Sequence, residues 1–111
     1  MQEAIKFCEQ MYPESTEEFK KIQEEMYALW CKKQMDYGPD NISLGKDLAN
    51  PIHKKRSLLG IWFRSNDKIS RIINLLESQI KPQNESIEDS WIDLCNYSII
   101  SILVNREKWG K

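Results

Sequence analysis

Three sets of polar residues have the spacing of a shared helix face, and each could act on phosphate or metal. Asp89, Asp93 and Asn96 follow at i, i+4 and i+7, so on a helix they form one stripe. From Trp91 onward the surrounding residues are apolar in every direction, including Ile92, Leu94, Ile99 and Ile100. A helix apolar all round is buried on most of its sides, which places Asp93 and Asn96 away from bulk water. A buried carboxylate requires a partner, a metal or a proton. Two carboxylates one turn apart repel, and a divalent cation would relieve that. The alternative is structural: Asp89 caps or flanks the helix start, and Asp93 pairs with a lysine or arginine.

A second stripe, Arg64, Asp67, Lys68 and Arg71, falls at i, i+3, i+4 and i+7. Three cations beside one carboxylate suit phosphate oxygens, which arginine can bind in a bidentate manner. The competing reading is a solvated outer face. A third line joins Glu25, Lys32 and Asp36. Asp36 is expected at a helix C-terminus, where a carboxylate opposes the helix dipole; either a cation offsets this or the charge is screened by water. Tyr37, Trp30, Trp62 and Trp91 read first as core or interface residues, although one of them near a phosphate site could contact a base or ribose. His53, Lys54, Lys55 and Arg56 form a short basic run that is either solvated or closes over a polyphosphate.

The elements that must carry these stripes are helices. A short helix is expected before Pro13. A longer one is capped by Ser15 or Thr16, carries Phe19, Ile22, Met26 and Leu29 at helical spacing, and stops at Gly38-Pro39. Residues 38–51 collect Gly, Pro, Asp, Asn and Ser and read as a loop. The next helix begins near His53 or Ser57 and runs to about Ile80. The last begins at Glu85 or Ser86 and ends near Trp109. The β-branched stretch 98–104 would suit a strand, but a lone strand has nothing to pair with. The expectation is therefore an all-α bundle of three main helices plus a short N-terminal one, forming a single domain over residues 1–111.

Bulk composition narrows the function. The 111 residues carry 16 basic and 17 acidic side chains, so the basic excess that nucleic-acid binding needs is absent and nucleic acid is not the expected partner. Three cysteines without a CxxC, beside a single histidine, suggest reduced intracellular thiols and no zinc site. The uncharged stretch 94–105 is too short to span a bilayer, and no signal peptide is evident. A glycine-rich phosphate loop, GxSxG and HExxH are all absent.

Three segments together resemble the nucleotide modification associated domain 1 family of phages and bacteria. That family looks like a divergent branch of the MazG-like, all-α nucleoside triphosphate pyrophosphatases. The segments are 33–38, KQMDYG; 67–76, DKISRIINLL; and 85–99, ESIEDSWIDLCNYSI. They are similar to K-x-x-D-Y-G, D-K-x-x-R-I/L and E-S-x-x-D-x-x-x-D-L-x-N-Y-A blocks. The resemblance implies a helical bundle completed by oligomerisation, at least a dimer, in a bacterial or phage-infected cytoplasm. It also implies a nucleotide site between helices, with Mg²⁺ held by Asp36, Asp89 and Asp93, Lys68 and Arg71 on phosphate, and Asn96 as a polar contact. The helix stripes themselves add Glu25 to the metal set, Arg64 to the phosphate set and Tyr37 as a nucleotide contact. The E-E-x-x-E and E-x-x-D motifs of MazG-like enzymes are not matched in full, a departure that nucleotide binding survives better than hydrolysis. Two functions follow. One is a Mg²⁺-dependent nucleoside triphosphate pyrophosphohydrolase. The other is a non-catalytic binder that sequesters or senses a signalling nucleotide, such as a phage anti-defence sponge.

Overall fold

A computed structural model describes all residues from Met1 to Lys111. The chain is all-α, with five helices and no strand: α1 (Gln2–Met11), α2 (Pro13–Tyr37), α3 (Asp40–Ser43), α4 (Pro51–Ser78) and α5 (Ile87–Asn105). The β-branched stretch 98–104 is helical, as expected where no partner strand exists. The chain divides into two compact units, Met1–Lys33 and Gln34–Lys111.

In the first unit, α2 starts at Pro13 and not at the anticipated Ser15 or Thr16 cap. Proline fits the first helical turn because its φ is fixed and its missing N–H is one that a helix start leaves unused. Thr16 instead donates its hydroxyl back to the Tyr12 carbonyl (2.9 Å). Lys20 and Glu9 pair at 2.9 Å and fasten α2 to α1. Of the residues in α1 and α2, only Met26 is buried.

The second unit opens with the last turn of α2. Gly38, at φ +66°, donates its N–H to the Gln34 carbonyl at 2.9 Å. This left-handed position after a helix favours glycine. Inside the expected loop lies the short α3, held against α4 by two bonds to its carbonyls. Ser57 donates to Ile42 (2.8 Å) and Arg64 to Asn41 (2.8 Å). α4 begins two residues earlier than expected at the nearest, because Asn50 caps it by accepting from the Ile52 N–H (2.9 Å) and Pro51 fills the first position. It ends at Gln79, whose φ of +56° breaks the helix.

α5 is started by a capping box. Ser86 accepts from the Asp89 N–H, and the Asp89 carboxylate accepts from the Ser86 N–H. The helix stops at Asn105, short of the expected Trp109. α4 and α5 lie antiparallel, since Lys54 pairs with Glu107 (3.0 Å) near one end and Arg71 reaches Ser86 near the other. Ile61 and Ile72 of α4 and Ile100 and Val104 of α5 are buried, and Val104 is fully enclosed. α5 is not buried on most sides as its composition suggested: Trp91, Ile99 and Ile102 are each about half exposed. A hairpin of two helices covers one face of each, leaving the remaining apolar positions open.

The capping box makes Ser86 a sensitive position. Ser86→Ala is expected to lower the unfolding free energy by about 1 kcal/mol, read from denaturant midpoints at unchanged slope. No loss would show that the cap does not start α5.

Candidate functional site

The polar residues of α5 sit on its buried face. Ser90, Asp93 and Asn96 are 0%, 7% and 8% exposed, and Ile100 and Val104 continue the same side. That face is therefore polar in its first half and apolar in its second. The sequence reading correctly placed Asp93 and Asn96 out of bulk water. Ser90, three residues before Asp93, was missed, although its spacing of three and six from Asp93 and Asn96 marks the same face.

α4 supplies the complementary charge. Lys68 Nζ lies 2.8 Å from Asp93 Oδ2 and 3.6 Å from the Glu85 carboxylate. The Lys68 side chain is 22% exposed and that of Asp93 9%. The hydrogen bond that Lys68 donates to Asp93 is the main influence on Lys68 and holds its pKa above the usual lysine value; desolvation opposes it, and the charges of Asp93 and Glu85 add to the rise. Glu85 was identified from sequence only as a helix start, so its part in this charge group is a further addition.

Arg71, one turn along α4, faces the same way but is engaged by the chain itself. One guanidinium nitrogen donates to the Ser90 hydroxyl and to the Ser86 carbonyl (3.2 Å), and the other donates to the Glu85 carbonyl. Arg71 thus ties the segment entering α5 to α4. Arg64 likewise spends a donor on the Asn41 carbonyl. Arg64, Lys68 and Arg71 are all half-buried, whereas Asp67 is exposed. Three members of the cationic stripe therefore lie inward, against the reading of a solvated outer face.

The acidic residues of the second unit are differently engaged. Asp89 is exposed and occupied in the capping box. Asp93 is held by Lys68. Asp36 and Tyr37 are exposed at the end of α2, and Glu25 is exposed in the first unit. No three His, Cys, Asp or Glu side chains form a metal-ligand group. In the basic run, Lys54 is committed to Glu107, and Lys55 and Arg56 are exposed.

A separate cleft of about 230 Å³ opens between the 39–49 segment and the C-terminal residues, beside Asp47, Leu48 and Trp109. Two wider hollows lie beside Pro51, Leu58 and Trp62 (about 450 Å³) and beside Glu9, Thr16 and Lys20 (about 610 Å³). The polar half of α5 with Lys68 is the candidate because charged and polar side chains converge there, most of them buried, and not because of cavity size. No family model matches the chain, and neither a curated protein nor a solved structure is significantly similar to it. No helix is long and apolar enough to cross a membrane.

The Lys68–Asp93 pair has a direct test. Asp93→Asn leaves the Lys68 ammonium in a partly closed site with Glu85 as its remaining acid. A cost of about 2 kcal/mol is expected, below the ~3–5 kcal/mol of a fully buried pair. Because the folded-state pKa of Lys68 is raised, its contribution is complete below the unfolded value of 10.5 and is lost as pH rises through the raised folded value. Wild type should therefore lose more stability than Asp93→Asn as pH rises from about 10.5 upward. Parallel alkaline curves would show that the pair does not couple protonation to folding.

Proposed function

We propose that this protein binds a nucleotide through its phosphates, at the polar half of the α4–α5 seam, with Lys68 as the cationic contact and Asn96 and Ser90 as polar neighbours. The observation that carries this reading is the placement of Lys68, Ser90, Asp93 and Asn96 on one seam. A small helical hairpin gains more stability from apolar residues at such positions than from an ion pair. Beyond fixing how α5 sits on α4, polar groups on one seam offer a phosphate a cation and neutral hydrogen-bonding neighbours together. The three segments similar to the nucleotide modification associated domain support the same reading. Two of them meet in space, since Lys68 and Arg71 of the second contact Glu85, Ser86, Ser90 and Asp93 of the third.

Lys68 keeps its bond to Asp93 and gives phosphate a donor by exchanging the looser Glu85 contact for it, a charge-assisted bond. Arg71 acts indirectly, keeping the start of α5 against α4. Sequestration or sensing of a nucleotide fits the dispersed carboxylates better than metal-dependent hydrolysis does. The half-exposed apolar residues of α5 support a working form of at least two copies.

A thermal-shift screen with nucleoside triphosphates and cyclic nucleotides, with and without Mg²⁺, tests this. The melting temperature is expected to rise with a subset of them, and the ligand to be recovered intact. Lys68→Met keeps the aliphatic stem and is expected to weaken binding about tenfold or more, the loss of a charged hydrogen bond of ~1.5–3 kcal/mol, with the helical circular dichroism unchanged. Binding unaffected by Lys68→Met would remove the site from this seam. No shift with any nucleotide would remove the function. Release of monophosphate and pyrophosphate would replace the binder with the hydrolase.

A further inference from the structure

α4 presents a second face, opposite the one that meets α5. Its apolar members Ile52, Leu59, Trp62, Ile69, Ile73 and Leu76 are all exposed, from 42% at Ile69 to 61% at Ile52. Lys55 and Asn66, also exposed, fill the two gaps. The resulting stripe advances in alternating steps of three and four residues along the helix. That is the heptad pattern by which one helix packs knobs into the holes of another. The buried face, with Ser57, Ile61 and Ile72, is a separate set of positions.

We propose that this stripe is the interface with a second copy of the chain, α4 lying antiparallel on the partner's α4, with the two-fold axis passing between Trp62 and Asn66. The stripe maps onto itself in this direction with its two polar gaps placed over different partner residues. Run antiparallel, Ile52 meets the partner's Leu76, Leu59 meets the partner's Ile69, and Trp62 meets the partner's Asn66. Each polar interruption then acquires a partner. The Trp62 indole N–H faces the amide of the partner's Asn66, an acceptor for one and a donor for the other. Trp62 is already braced edge-on by Phe63, with ring centroids 5.1 Å apart.

Charge decides the orientation. Among the exposed charged side chains of α4, the first half carries Lys55 and Arg56 and no carboxylate, whereas the second half holds Asp67 and Glu77; Lys54, Arg64, Lys68 and Arg71 are half-buried. A parallel pair would set basic half against basic half and Lys55 against Lys55. In the antiparallel pair Lys55 lies over the partner's Ile73. Helical side chains lean toward the helix N-terminus, which directs the Lys55 ammonium to the partner's Glu77. The interface is isologous and closes as a dimer. It is independent of the nucleotide reading, because its residues are not those of the α4–α5 seam.

Sedimentation velocity at micromolar concentration tests the interface. Wild type is expected as a dimer, and the Leu59→Asp, Ile73→Asp double variant as a helical monomer. A charge swap keeps the test decisive if that variant fails to fold. Lys55→Glu is expected to weaken the dimer roughly tenfold, and adding Glu77→Lys in the same chain to restore it. A monomeric wild type would overturn the proposal. So would a dimer insensitive to the Leu59 and Ile73 changes, or a Lys55→Glu loss that Glu77→Lys leaves unrepaired.

Discussion

The contact between the Lys68 ammonium and the Asp93 carboxylate, 2.8 Å, sets the register of α5 on α4. A slip of one residue would rotate Asp93 by about 100° and leave a carboxylate against apolar side chains. The same slip would take Ser90 from Arg71 and would lift Ile100 and Val104 out of the core. The apolar half of the seam gains from burial in many registers. The polar half is satisfied in one. Specificity of pairing thus resides in residues that contribute less to stability than hydrophobic replacements would.

Helix type and order were legible because their signals are local. Gly38-Pro39 ends α2, and Ser86 with Asp89 begins α5, through bonds within a few residues. The inward position of Asp93 and Asn96 also followed from the apolar residues around them. Other features depended on contacts between distant segments. Nothing near Arg71 reveals that its donors are taken by carbonyls 14 and 15 residues away. The same is true of Arg64, whose partner lies 23 residues earlier. A stripe of cations looks identical in sequence whether it meets water, a ligand or the chain's own backbone. Asp89 illustrates the converse: the sequence offered both a cap and a metal ligand, and the geometry shows it in the cap.

α4 combines two periodicities in 28 residues. Toward α5 its buried positions accept mixed polar and apolar partners. Away from α5, an almost uninterrupted apolar stripe repeats every three or four residues. The composition of the chain reflects both uses. A 41% hydrophobic share would ordinarily be divided between one core and a scatter of surface residues. Here much of it lies on the outside of α4 and α5 as continuous surface, where scattered apolar residues would need no explanation but an ordered array does.

Trp109 lies beyond α5, is 7% exposed, and donates its indole N–H to the Pro39 carbonyl at 3.0 Å, across 70 residues of sequence. The α4–α5 hairpin, by contrast, joins residues nearer in the chain and can form with little loop closure. Docking of the tail onto the 39–49 segment therefore belongs late in assembly, once the hairpin has brought both ends together. Trp62 and Trp91 remain about half exposed, so with the partly buried Trp30 replaced by Phe, Trp109 is the emitter whose burial changes most in this final closure. Its blue shift would time a step that adds no helix and that circular dichroism does not see.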